Sequence, residues 1–122
     1  LKMTCFDTDA GRFNFRSVAV IIHNDHILIH RESKDDFWAL PGGRVELFEY
    51  SNATVEREIN EELGLECKVV RQLWHVENFF ENGSRRFHEL ANYFLMSFAN
   101  TPNIQSEIDF EGIETSVTLL FR

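Results

Sequence analysis

The run Arg57-Glu58-Ile59-Asn60-Glu61-Glu62-Leu63-Gly64-Leu65 holds the residues whose types and spacing suggest chemistry. Residues three and four apart on a helix share a face, so Glu58, Glu61 and Glu62 would present their carboxylates together. Local physics disfavours that grouping. Glu58 and Glu62 make a like-charge i, i+4 pair, which costs roughly a few tenths of a kcal/mol. All three also crowd the C-terminal half of the helix, where its dipole already places negative charge. A hard divalent cation would offset the repulsion. Magnesium suits such a set, because it takes oxygen ligands, keeps several waters and is usually shared between carboxylates and substrate phosphates. The upstream Pro41-Gly42-Gly43 could add a backbone carbonyl. For three Glu alone, a solvated acidic helix face is an equally physical explanation.

These side chains need a scaffold, and the chain supplies readable elements. Ser17 to His23 and His26 to His30 are β-rich runs flanking Asn24-Asp25, which predicts a hairpin. A polar loop, Glu32 to Asp36, leads to Phe37-Trp38-Ala39-Leu40 and then Pro41-Gly42-Gly43, which stops regular structure and permits close backbone approach. Ser51 to Leu63 reads as the one helix, with Ser51 or Asn52 as its cap, Ala53, Val55, Ile59 and Leu63 as apolar positions, and Gly64 as its stop. Beyond it, Leu65 to Val76 reads as a strand or two, Glu81 to Ser84 after Phe79-Phe80 as a hairpin turn, and Phe87 to Phe98 as the return strand. Pro102 marks a loop, and Ser116 to Phe121 reads as a last strand. Strands on both sides of a helix predict a mixed α/β or α+β sandwich.

Composition bounds the class. The 122 residues fit one domain, residues 1–122. Hydrophobic content of 43% argues against a disordered acidic protein, and no apolar run approaches the ~20 residues of a membrane span. No signal peptide is recognisable, so a soluble, cytoplasmic protein is expected. Cys5 and Cys67 are too few and too separated for a disulfide framework or zinc site. Twelve Lys plus Arg against 20 Asp plus Glu give a net charge of −8, which disfavours a nucleic acid partner. A phosphate-bearing substrate remains compatible, because a divalent cation can mediate.

Read from Gly43, the sequence is G-x5-E-x7-R-E-U-x-E-E-x-G-U, where U is a bulky aliphatic. Glu49, Arg57, Glu58, Ile59, Glu61, Glu62, Gly64 and Leu65 occupy the specified places. This is a complete Nudix box, and the chain resembles the Nudix hydrolase family of MutT-like proteins. Chance would produce such a match on the order of once in a million chains of this length. Trp38 to Gly43 also looks like the family's usual lead-in.

The resemblance implies an α/β/α sandwich with a mixed sheet and the box as a loop-helix-loop. It implies an enzyme that uses Mg2+, with Mn2+ as substitute, to hydrolyse a pyrophosphate bond in a nucleoside diphosphate linked to another moiety. Glu58 and Glu62 would be the main metal ligands, Glu61 a further ligand or base, and the Gly42 carbonyl would complete the protein's share. Arg57 would orient Glu49 and restrain the carboxylate array. A base or extra ligand from a later strand would be Glu77, Glu81 or Glu89. Glu89, in Phe87-His88-Glu89-Leu90, is favoured, with an outward-pointing strand Glu as the alternative. His88 reads as a packing residue. Arg31 would bind substrate phosphate, or is surface charge. Trp38, Trp74, Phe79 and Phe80 could stack a base, although burial is the commoner fate of aromatics.

Markers of substrate return negatives. The region Phe80 to Ser84 has neither the Pro of many ADP-ribose hydrolases nor the Tyr of dinucleoside polyphosphate hydrolases. The family's usual closing helix is not evident either, since Gln105 to Arg122 shows weak helical periodicity before the β-like run. The chain closes differently or is a shortened form. Two readings from other classes stand beside the enzyme: a non-catalytic nucleotide or metabolite sensor, and a metal-binding or protein-interaction domain. Small enzymes of this kind often dimerise, and a nucleotide-like small molecule is the expected partner.

Overall fold

A computed structural model describes residues 3–113 and 117–122. In chain order its elements are β1 (Cys5–Thr8), β2 (Gly11–His23), β3 (His26–Glu32), β4 (Gly42–Arg44), α1 (Ser51–Leu63), β5 (Cys67–Asn82), β6 (Arg85–Phe98), β7 (Phe110–Glu111) and β8 (Val117–Phe121). They form one mixed sheet in the order β5-β6-β2-β3-β8-β7, with β1 and β4 also paired to β2. The β2–β6 pair is parallel, from Arg12 opposite Phe87 to Ile21 opposite Met96, and the other pairs are antiparallel.

The β2–β3 hairpin turns on Asn24 and Asp25 at φ 51° and 63°. Two successive left-handed residues suit the right-handed twist of the flanking strands, and Asn and Asp tolerate that conformation best after Gly. The helix has the bounds expected from sequence, and Gly64 ends it at φ 68°, donating its N–H to the Asn60 carbonyl. Its start differs. Tyr50 is the capping residue and has no side-chain cap. Ser51 is occupied elsewhere: its hydroxyl accepts from Asn92 Nδ2 at 3.0 Å, and its carbonyl accepts from the Ser17 hydroxyl at 2.6 Å. Those bonds fasten the helix start to β2 and β6.

Period-2 alternation along β2 turns Ser17, Ala19 and Ile21 to the helix side. Ala19 and Ile21 join Val55, Ile59, Phe94, Met96 and Phe121 in the buried core. Burying such side chains stabilises by about 1.5–3 kcal/mol each before entropy is counted. The core thus fixes which face of α1 turns inward: Thr54, Val55, Ile59 and Glu62 are buried, and the remaining faces carry Glu56, Glu58 and Glu61.

The run read as a strand or two is one strand, β5, which continues through Phe79-Phe80 to Asn82, and the hairpin turn expected at Glu81 to Ser84 is confined to its second half, with Gly83 at φ 66°. The single strand accommodates its length with register shifts between Val69 and Arg71 and between Gln72 and Trp74. Among the described residues there is one helix, so the architecture is a mixed sheet with a helix on one face and not an α/β/α sandwich. In place of a closing helix, β-branched and aromatic residues of β8 pair with β3 and extend the sheet. Of the last strand expected from Ser116, Val117 onward is β8, and Ser116 lies outside the described residues. Sequence reading also missed β1, β7 and the first part of β2. Among the described residues, no helix is long and apolar enough to cross a membrane. Cys5 and Cys67 are both free, and burial pushes the Cys67 thiol up to about 11.

Candidate active site

Arg57 is the hub of the box. Its Nε donates to Glu49 Oε2 at 2.9 Å and a terminal nitrogen donates to Glu49 Oε1 at 3.0 Å, a two-point fork that fixes both planes. Its other terminal nitrogen donates to Glu58 Oε1 at 3.0 Å and reaches Glu61 Oε1 at 3.5 Å. Glu49 gains two more donors, the Thr54 hydroxyl at 2.7 Å and the Glu46 amide at 3.2 Å, both on Oε1. The Arg57 guanidinium, helped by Thr54 and Glu46 and opposed by burial, holds the Glu49 carboxyl down at about 2. Arg57 is raised in turn by the Glu49 bond.

Glu58 reaches the neighbouring strand. A Cβ built on Gly43 would collide with the Glu58 side chain, and one on Gly42 would collide with the Ser17 carbonyl. Glycine at both places lets β4 lie tight between β2 and the carboxylate. Glu62, on the turn after Glu58, is 7% exposed and turned to β3, where His30 Nδ1 lies 3.2 Å from its Oε1.

Beside the β4 glycines is a cleft of about 700 Å³ whose lining includes Asn14, Arg31, Gly42, Gly43, Phe80 and Glu89. Glu89 is 8% exposed and accepts from Asn14 Nδ2 at 2.9 Å, with Asn14 opposite it in the β2–β6 register. It does not point outward to solvent. Arg31 stands on the cleft wall with its guanidinium 4.9 Å from the centre of the Trp38 ring. Arg16, Lys34 and Arg44 line the same cleft, and with Arg31 they are matched there by Glu32, Asp35, Glu81 and Glu89, so the wall is rich in charges of both signs.

The structure therefore brings Gly42, Arg31 and Glu89 into one cleft and gathers Glu49, Glu58 and Glu61 around Arg57. Glu62 is turned away from that group toward His30, which itself lines the cleft. None of Glu58, Glu61 and Glu62 figures among the described residues lining the cleft. Nor, among the described residues, do three or more His, Cys, Asp or Glu converge closely enough to enclose a metal ion. Glu77 is exposed away from the cleft, and Glu81 is exposed at its outer end. Of the four aromatics considered for base stacking, Phe80 lines the cleft, stacked on Phe87 at 4.9 Å and 3°. His88 packs between Phe13 and Phe79. Sequence reading missed Asn14, His30 and Thr54. The only signal for Asn14 was a polar residue within Phe13-Asn14-Phe15, and for Thr54 its place in the first turn of the expected helix, five residues past Glu49.

The NUDIX domain model matches residues 14–119, most of the chain. The chain belongs to the NUDIX domain family. This Nudix domain is 36% identical over 79 residues to a candidate mutator protein, MutT4, of Mycobacterium tuberculosis; the match covers 65% of the chain and 30% of that relative. The chain thus spans less than a third of that curated relative's length. Among solved structures it resembles a MutT NUDIX hydrolase from Burkholderia pseudomallei, at 26% identity and a TM-score of 0.58, covering 75% of this chain and 73% of that one. It shares its fold with a UDP-X diphosphatase, at 22% identity and a TM-score of 0.60, covering 95% of this chain and 52% of that one. The same holds for an ADP-ribose pyrophosphatase from Streptococcus suis, at 20% identity and a TM-score of 0.57, covering 88% and 72%.

Proposed function

We propose that the chain is a Mg2+-dependent hydrolase that cleaves a pyrophosphate bond in a nucleoside diphosphate joined to another moiety, such as a nucleoside triphosphate or a nucleotide sugar. The observation that carries this reading is the seating of Glu58 against Gly43, at the edge of a cleft that holds Arg31 and the buried Glu89. Relatives named MutT, UDP-X diphosphatase and ADP-ribose pyrophosphatase support the reaction class without selecting among substrates.

The donors suit a hard cation, being carboxylate and carbonyl oxygens. Glu58, Glu62 and the Gly42 carbonyl would hold Mg2+, with Glu61 as a further ligand. Such an open set agrees with an ion that keeps waters and shares substrate phosphates. When bound, Mg2+ supplies charge neutralisation at the phosphates and a more acidic water. The chain's own residues do the rest. Arg57 clamps Glu49 and restrains the repulsion between Glu58 and Glu61. Arg31, braced on Trp38, binds a substrate phosphate. The oxygen of the attacking water forms a bond to one phosphorus as the bond from that phosphorus to the bridging oxygen breaks. The bridging oxygen departs on the other phosphate, and Glu89 takes the water's proton, with Glu61 as the alternative base. Asn14 engages Oε1 of Glu89, and among the described residues no hydrogen bond engages the second oxygen, which would take that proton.

A panel of nucleoside triphosphates, nucleotide sugars, ADP-ribose and dinucleoside polyphosphates, assayed with and without Mg2+, tests the proposal. Metal-dependent release of a nucleoside phosphate from at least one of them is expected. No turnover across the panel would leave the sensor reading in its place.

A further inference from the structure

We propose that His30 is a positioning residue for the cation site, tying the Glu62 carboxylate to β3 and, through its main-chain bonds with Ala39, to the segment that leads into Gly42. The inference rests on the reading of Glu62 as a cation ligand. The His30 and Glu62 side chains are only 15% and 9% exposed, with Nδ1 and Oε1 3.2 Å apart. A carboxylate accepts and does not donate, so Nδ1 carries the proton. The bond engages Oε1, and among the described residues no hydrogen bond engages the second oxygen, which the proposal gives to the cation.

His30 also fixes the other side of the site. Its main chain exchanges two hydrogen bonds with Ala39, at 2.8 and 2.9 Å, and two residues farther on the Pro41 carbonyl accepts from the Ala19 amide at 2.8 Å. The path from β3 to Gly42 is therefore short and pinned at both ends. One residue thus ties a helix carboxylate and a glycine strand into one frame. Glu62 has little freedom to leave it. Ile113 donates its N–H to the Glu62 carbonyl at 2.8 Å, and a Cβ on Gly112 would come within 3.3 Å of Glu62 Cγ. A buried carboxylate needs a donor. Here that donor also sets which oxygen remains for the cation. Partners that orient a ligand in this way are commonly worth about 10–100-fold in metal affinity.

The test is titration of the substrate-free protein with Mn2+ alone, followed by calorimetry or by the spin resonance of free Mn2+. His30→Asn, His30→Gln and His30→Phe are compared with the wild type, and each apoprotein is melted. The Asn amide nitrogen falls where Nδ1 was, whereas the Gln amide reaches the Nε2 position. His30→Phe and His30→Gln are expected to weaken Mn2+ binding by about tenfold or more, and His30→Asn to stay near wild type. Should His30→Phe fail to fold, the Asn and Gln pair decides. Equal affinity in those two variants, or wild-type affinity in the Phe variant, overturns the proposal. Glu62→Gln separates it from its premise: undiminished Mn2+ binding there removes Glu62 as a ligand. Loss of binding there with His30→Gln unaffected removes only the role of His30.

Discussion

Glu49 and Glu89 are both largely withdrawn from water, yet they are held in opposite ways. Glu49 is gripped by Arg57, Thr54 and the Glu46 amide, and its carboxyl is held down at about 2. Glu89, 8% exposed, accepts one bond from a neutral amide, Asn14. Glu62 resembles Glu89 in this respect, being buried with a single imidazole 3.2 Å away. A carboxylate with four charge-assisted or dipolar donors is committed to the scaffold, because taking up a proton or a cation would forfeit them. One with a single donor is fixed in place but keeps an oxygen. The box thus contains two kinds of acid that its spacing alone does not distinguish.

The largest effect should come from the uncommitted class. Glu62→Gln keeps the shape and can still face His30, but it removes the charge. Turnover is expected to fall by about 10³-fold, with weaker Mn2+ binding, as loss of a ligand that neutralises transferring phosphates implies. Thermal melting of the apoprotein should be unchanged or slightly higher, since a buried negative charge and its repulsion of Glu58 are removed. A clear fall in apo stability would place Glu62 with Glu49 instead. Glu89→Gln comes next. Asn14 can still donate to the new amide oxygen, so folding is expected to hold while kcat falls by about 10²-fold, the usual size of a general-base contribution. Wild-type kcat would return Glu89 to a structural role and leave Glu61 as the base.

Sequence reading reached different depths in these two classes, for a physical reason. Spacing on a helix is a local property, so the stop at Gly64 and the grouping of Glu58 with Glu61 were legible from the chain, but the third carboxylate expected with them, Glu62, faces His30 instead. The hairpin at Asn24-Asp25 was legible for the same reason. Asn14 meets Glu89 across a parallel pair of strands 75 residues apart, and His30 meets Glu62 across 32. Nothing in the local pattern reports such a pairing. The closing strand was legible as a strand, because β-branched and aromatic residues of β8 fit one, but its pairing with β3 depended on the whole sheet and not on the local pattern.

The smallest effect on turnover, and the largest on stability, is expected for Glu49→Gln. Removing the charge breaks the fork with Arg57 and leaves a guanidinium that is only partly exposed short of its partner. A loss of about 1–3 kcal/mol is expected in urea unfolding near neutral pH, with turnover reduced by no more than about tenfold. Acidity sharpens the contrast. The Glu49 carboxyl titrates near 2 in the fold against an ordinary value of 4.5, so the unfolded chain takes up its proton first. The stability contributed by this group is complete above about 4.5 and drains away as pH falls toward about 2. The variant has no such group to titrate. Its stability deficit relative to the wild type should therefore shrink between neutral pH and pH ~3. A deficit that stayed constant down to that pH would mean that the Arg57 fork contributes packing rather than charge, and the division between committed and uncommitted acids would lose its basis.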